Sequence, residues 1–412
     1  MFNKKLFPLY LSGFLDLFGV SMVIPLLSTH VKELGASSTL VGIIGSLYGG
    51  IQLFSSPIIG KWSDVYGRRY CLLWCMVLTS IGYLIPGLDS TILIIIVARV
   101  LNGLFKHSQN LTKSLLADIT NKDQQSAVLG HFNAASSFGF IVGPLIGGHI
   151  AETSDGFSKV SYLGGLIFFT NSVLIYFCVD ESKKESHQEE LYRNESSTSF
   201  KKITSEELDF NPKLLVQTFH SIDWKNLWDL FFIKFCMGFS VILFRSNFSL
   251  VMKDTFEVSP VTLGYLISYS GCVSALCGFF VGYIANLYKN DALLMLHMSI
   301  FQVLTLFMLS FIQSFWLYVL FLTPLSFITT VSRVAATSLT IQRGQKKEIG
   351  TLMGFSQSVM SVARMLAPFV SGVALDFSSA GPSFIGSVVS LIAVIIMIIR
   401  PQGNADKIEK KE

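Results

Sequence analysis

Charge is scarce in this chain of 412 residues: Asp, Glu, Lys and Arg together make up 14%, against about 25% in an ordinary soluble domain. The hydrophobic share is 51% and the mean hydropathy is +0.56, so a water-soluble fold of this length could not cover itself. Cysteine is sparse too. The six, at Cys71, Cys75, Cys178, Cys236, Cys272 and Cys277, fall in or beside apolar blocks without Cys-x-x-Cys spacing, which gives neither a zinc site nor a disulfide framework. No nucleophile motif, metal-ligand cluster or phosphate loop stands out, so an enzyme, a cofactor and a bound metal are not indicated. Period-two alternation is missing as well, which excludes a membrane β-barrel.

What the chain does contain is twelve apolar blocks, near 5–28, 38–60, 70–88, 91–114, 127–150, 160–179, 227–251, 261–285, 291–309, 314–337, 349–373 and 382–400. Each is long enough to cross a hydrocarbon core of about 30 Å as a helix, and helices satisfy their own backbone in lipid. The expected fold is an all-α membrane protein with twelve transmembrane helices in two six-helix bundles. The first block is too long, and carries Asp16 too deep, for a cleaved signal peptide. Lys4, Lys5, Lys61, Arg68, Arg69, Lys122, Lys289, Arg343, Lys346 and Lys347 lie on one side of this scheme, against Lys32, Lys159 and Lys253 on the other. The positive-inside rule makes the first side, with both termini, cytoplasmic. The net charge of +4 follows from that topology and is no nucleic-acid signal. Residues 1–180 form the N-terminal bundle, 181–225 a charged, Ser-rich cytoplasmic linker, 226–400 the C-terminal bundle and 401–412 a cytoplasmic tail. An interfacial helix is expected near Lys213–Trp228.

The halves are related. Gly42, Ser46, Gly49 and Gly60 recur as Gly264, Ser268, Gly271 and Gly282 at a constant offset (264 − 42 = 222), with Asp64 opposite Asn286. The run Gly139–Gly148 lies over Ala363–Gly372, and Pro144 falls on Pro368 (368 − 144 = 224). Two repeats of membrane-spanning helices are the architecture of a carrier whose substrate sits between halves that rock.

Polar residues inside the blocks are candidates for the site, because charge at mid-bilayer is costly and rarely idle. Asp16 lies deep in the first span and is the single acid expected at that depth. It reads either as a carboxyl that exchanges a proton or as a fixed ion pair with Arg99. Taken at 100° per residue, Arg99, Asn102, Lys106, Gln109, Asn110 and Lys113 share one face of span four, and His107 points away from it. Lys234 and Arg245 share a face of span seven, Arg333 lies in span ten, and Gln357, Ser361, Arg364 and Pro368 share a face of span eleven. Deep basic groups outnumber deep acids, which suits an organic anion; alternatively Lys234, Arg245 and Arg333 snorkel to the interfaces.

Between spans two and three the chain reads Gly60-Lys-Trp-Ser-Asp64-Val-Tyr-Gly67-Arg68-Arg69. Gly60 and Gly67 would allow a tight turn, and Asp64 can pair with Arg68 or Arg69 in a latch on the outward-facing state. This run resembles the signature of the major facilitator superfamily, departing at Val65 where the family usually has Arg. Gly139-Phe-Ile-Val-Gly143-Pro144 resembles the superfamily's antiporter signature, and its glycine face with a proline bend would pivot or simply pack. Gly13–Pro25 is similar to the start of the drug:proton antiporter branch that includes tetracycline exporters, and Ala98–Gly103 to the fourth-helix motif whose Arg the family associates with proton coupling.

The resemblance implies a secondary transporter of a small organic solute working by alternating access, with proton-coupled antiport through Asp16 and Arg99. Asn102, Lys106, Arg245, Gln357 and Arg364 are the expected substrate lining. Gly60, Asp64, Gly67, Arg68, Arg69, Gly139, Gly143 and Pro144 are the expected gating elements. Its partners would be the solute, protons and the bilayer of a plasma or endolysosomal membrane, with no nucleic acid and no need for a second chain. A uniporter or symporter on the same fold, or a non-transporting receptor or scaffold, are the alternatives.

Overall fold

The computed structural model describes residues 6–88, 91–179, 224–288, 290–343 and 349–401. The linker up to residue 223, the first part of the expected interfacial helix and the tail beyond residue 401 lie outside the described residues, as does the Asn286 side chain. The first half holds α1 (Phe7–Glu33), α2 (Ser38–Tyr66), α3 (Arg68–Leu88), α4 (Ile92–Phe105), α5 (Ser108–Ile119), α6 (Lys122–Ala151) and α7 (Gly156–Cys178). The second holds α8 (Trp224–Ser246), α9 (Phe248–Phe256), α10 (Pro260–Tyr288), α11 (Asp291–Leu309), α12 (Phe315–Arg343), α13 (Ile349–Phe377) and α14 (Gly381–Ile399). Twelve spans are long and apolar enough to cross a membrane, because α4 with α5 forms one crossing and α8 runs on into α9. An even number of crossings puts the ends of both halves on one face, called here the linker face.

Local chemistry sets the boundaries. Ser37 caps α2 by accepting from the Leu40 amide at 3.1 Å, and Asn290 caps α11. Gly67, at φ +99° between α2 and α3, holds a conformation that side chains resist. Gly60, in contrast, lies inside α2, so the turn expected there is made by Gly67 alone. In the first bundle α1 packs on α6 and α7, and α3 on α7; in the second α8 packs on α13 and α14, and α11 on α12 and α14. The glycine row Gly139, Gly143 and Gly147 of α6 seats α1, since a Cβ at these positions would strike the Phe14, Phe18 and Met22 backbone. That row is a packing face within its own bundle.

The bundles meet where the internal repeat repeats. A Cβ on Gly42 would hit the Pro368 carbonyl of α13, and one on Gly264 the Pro144 carbonyl of α6; Gly372 likewise lies on the Ser38 carbonyl and Gly148 on the Pro260 carbonyl. Ser46 Oγ accepts from the Phe369 amide at 2.9 Å, while its counterpart Ser268 donates to the Ile141 carbonyl at 2.6 Å. All these contacts lie in the half of the molecule away from the linker face. At Gly60, Gly278, Gly282 and Gly354, in the linker-face halves of α2, α10 and α13, a Cβ would meet nothing within 4 Å. The two halves are therefore closed at the far face and apart at the linker face.

One crossing carries an extra clasp. Asp376 at the end of α13 accepts from the Ser38 amide at 2.9 Å, the Thr39 amide at 3.0 Å and the Thr39 hydroxyl at 2.5 Å, capping α2 from the opposite bundle. The other crossing cannot match it, because Pro260 stands where Ser38 does (38 + 222 = 260) and offers no N–H. Asp376→Ala should weaken far-face closure by about 1 kcal/mol, the worth of a lost helix cap. In a cysteine-free background, labelling of a cysteine placed at Ser28 from the far side should then speed up roughly fivefold.

Candidate functional site

The deepest polar cluster lies inside the first bundle. Asp16 on α1 is 1% exposed, and its carboxylate accepts from Lys106 Nζ at 2.6 and 2.7 Å and from the Ser108 hydroxyl. Lys106 Nζ also donates to Ser108 Oγ at 2.9 Å and lies 4.8 Å from the Phe168 ring centroid. This pairing corrects the expected one, since the partner of Asp16 is Lys106 and not Arg99. The reason is a break in span four: helix α4 stops at Phe105 and α5 begins at Ser108, so the polar stripe is not continuous. Residues of α2 take up the freed groups. Gln52 Nε2 donates to the Lys106 carbonyl at 2.9 Å, and Ser55 Oγ donates to the Gly103 carbonyl at 2.9 Å while lying 2.8 Å from His107 Nε2. His107 is thus a hydrogen-bonded packing residue.

Arg99 stays buried in α4 with its guanidinium 5.6 Å from the Tyr48 ring centroid and, among the described residues, no ion pair. The Asn102 amide donates to the Gly82 carbonyl at 3.3 Å, in a space that any side chain at position 82 would fill.

A cavity of about 470 Å³ lies at mid-depth between α1 and α6 of one half and α8, α9, α10 and α12 of the other. Its wall combines Phe140, Phe244 and Phe248, many serines, and two cations, Arg245 and Arg333, with no acidic residue. Both arginine side chains are exposed within the protein's interior space, so neither snorkels. Arg245 owes its place to a second broken span: α8 ends at Ser246 and α9 starts at Phe248, leaving buried Asn247 between them. Of the residues expected to line the substrate path, Arg245 alone is in this wall. Lys106 and Asn102 are sealed within the first bundle, 7% and 3% exposed, while Gln357 and Arg364 are exposed on α13 but outside this wall. Leu17 faces the cavity while Asp16, one residue earlier, faces the bundle core. Proton candidate and cavity thus occupy different, neighbouring faces of α1.

At the linker face Arg68 pairs with Asp64 at 2.5 Å and with Asp118 at 3.1 Å. Arg69 donates to the Tyr176 carbonyl at 2.5 Å, so this cluster stays within its own bundle. A second buried acid, missed in the sequence, is Asp229 of α8 at 0% exposed. It holds Arg343 of α12 and Arg400 beyond α14, each at 3.3 Å, and it lies near the linker-face start of its span, not at the depth of Asp16. An acid five residues into a span looks solvent-facing until its partners fold over it.

Two six-span halves of repeated design, touching at one face around a mid-depth cavity, are the architecture of membrane carriers. The chain belongs to the Major Facilitator Superfamily, whose family model matches residues 9–227 and 230–412. It is 25% identical to the quinolone resistance protein NorA of Staphylococcus aureus over 98% of both chains. Its fold matches the crystal structure of the human organic anion transporter MFSD10 with a TM-score of 0.67 at 18% identity, covering 96% of this chain and 99% of that one. A bacterial homolog of the human lysosomal transporter Spinster, in an inward-facing and unoccupied conformation, matches with a TM-score of 0.72 at 12% identity, covering 97% and 96%. The protein is an integral multi-pass membrane protein of a transporter family, not an enzyme.

Proposed function

We propose that this protein is a secondary active transporter that moves a small organic anion by alternating access in exchange for protons. The observation that carries the reading is the cavity between the repeats, whose wall holds Arg245 and Arg333 and no acid. Closed crossings at the far face, with open space at Gly60, Gly278, Gly282 and Gly354, make it one state of a rocking pair. The similarity to a quinolone resistance protein and to an organic anion transporter supports a small organic cargo. In the opposite state the Asp64, Arg68 and Arg69 cluster would meet the other bundle and hold the linker face shut, with Gly139 and Gly143 keeping α1 and α6 moving as one body and Pro144 forming the far-face crossing with Gly264. Gln357 and Arg364 are assigned to the path between cavity and linker face.

Coupling is assigned to Asp16, working through Lys106 and with Arg99 anchoring α4 behind it. A proton on Asp16 removes the charge that holds Lys106, which frees α5 from α1 and changes how the bundle packs. Coupling therefore acts through helix position rather than by competition in the cavity. In proteoliposomes Asp16→Asn, and Asp16→Asn with Lys106→Gln to spare the lone lysine charge, should abolish flux driven by a pH gradient while counterflow of cargo survives. Full gradient dependence in the double variant would overturn the assignment. A uniporter is the second reading, favoured by the saturation of Asp16 by Lys106 and Ser108; wild-type flux indifferent to an imposed proton gradient would establish it.

A further inference from the structure

Resting on the organic-anion reading, we propose that the cargo is a dianion, two carboxylates on an apolar frame, with one held by Arg245 and the other by Arg333.

The two guanidinium groups project from different helices, α8 and α12, into one cavity, and the charge of Arg333 acts on Arg245. Neither makes an ion pair among the described residues, and no Asp or Glu stands in the wall. The nearby lysine charge does not add to the count, because Lys106 is cancelled by Asp16. Arginine does not deprotonate in proteins, so the cavity carries a charge of two. A carrier passes through a state in which both faces are shut and the cargo is cut off from bulk water. Each uncompensated charge is then costly at membrane depth. A neutral solute leaves both arginines bare and a monoanion leaves one. A dianion leaves none, so it lowers the barrier to occlusion most.

The rest of the wall fits the frame between the charges. Phe140, Phe244 and Phe248 offer apolar faces. Several serine hydroxyls are already engaged, Ser270 with Ser326 at 2.8 Å and Ser246 with the Ile242 carbonyl at 2.6 Å, and they add little pull on a polar body. The volume lies within the range of about 300–1,000 Å³ usual for organic ligands. Separate helices favour separated charges over a single compact oxyanion.

The test uses the purified full-length protein and one frame at three charges: benzene-1,4-dicarboxylate, its monomethyl ester and its dimethyl ester. Hexanedioate and its two methyl esters repeat the series on an aliphatic frame. Binding is read by thermal shift and transport by counterflow in proteoliposomes. In the wild type the dianion should bind at least tenfold more tightly than the monoester, and the diester should not bind. Arg245→Gln and Arg333→Gln should each weaken the dianion tenfold or more and make the monoester the preferred ligand; Arg245→Lys and Arg333→Lys, which keep the charge, should retain the wild-type order. A monoester that binds the wild type as well as the dianion overturns the dianion assignment and leaves the organic-anion reading standing. Single Gln variants that weaken both anions by the same factor also overturn it. Failure of every anion in both series overturns the anion reading together with this one.

Discussion

Replacing Lys106 by Met should destabilise the folded protein by about 3–5 kcal/mol, the usual result of stripping one partner from a buried ion pair. The melting temperature should fall by about 10 °C for a bundle of this size. The residue left behind explains the magnitude. Asp16 is 1% exposed, and without the ammonium its carboxylate keeps only the Ser108 hydroxyl among its described hydrogen-bond donors. Met matches the lysine stem in volume, so packing against Phe168 changes little and the loss is electrostatic. Asp16→Asn with Lys106→Met should recover most of the loss, because a neutral amide can still face Ser108 and nothing charged is stranded. A cycle of the four proteins, melted in the same detergent, gives the pair's coupling energy directly. Equal destabilisation by the single and the double change would mean that the pair does not hold α1 to α5, and the coupling route through helix position would lose its basis.

That pair also marks where the sequence stops being readable. Block lengths and the repeat disclosed twelve spans in two halves, because lipid leaves the backbone no alternative to helices. The offsets that defined the repeat reappear as contact points: Gly42 on Pro368 and Gly264 on Pro144. Those glycines recur because at each of the two crossings a helix of one half must meet a helix of the other backbone to backbone. The break at Lys106 and His107 was invisible, since no Gly or Pro marks it and the groups that stabilise it, Gln52 and Ser55, come from α2. A regular 100° per residue therefore put Lys106 beside Arg99 on a wet face, while the real chain turns it into the core. Arg333 was hidden for the opposite reason. A basic residue ten positions from the end of α12 looks able to reach an interface, and only the placement of α10 and α8 around it makes a cavity there.

The same crossings yield the second large effect. Gly264→Val should reduce transport by up to about a hundredfold and leave the protein open toward the far face. Any Cβ at position 264 meets the Pro144 carbonyl, and that oxygen cannot retreat, because α6 is seated on α1 through Gly139, Gly143 and Gly147. Overpacking of about 1–3 kcal/mol then falls on the closed far-face state alone, since the crossing is parted in the other state. A bias of that size shifts a two-state balance up to about a hundredfold. A cysteine at Ser28 should react faster from the far side, and Gly42→Val should reproduce the result through Pro368. Gly282→Val, on the same helix but where nothing lies within 4 Å, tests the pseudo-symmetry with the opposite sign: it obstructs closure at the linker face and should slow labelling from the far side. If Gly264→Val and Gly282→Val moved labelling in the same direction, or if Gly264→Val transported at the wild-type rate, the two ends of α10 would not be alternating gates and the rocking cycle drawn from the repeat would be wrong.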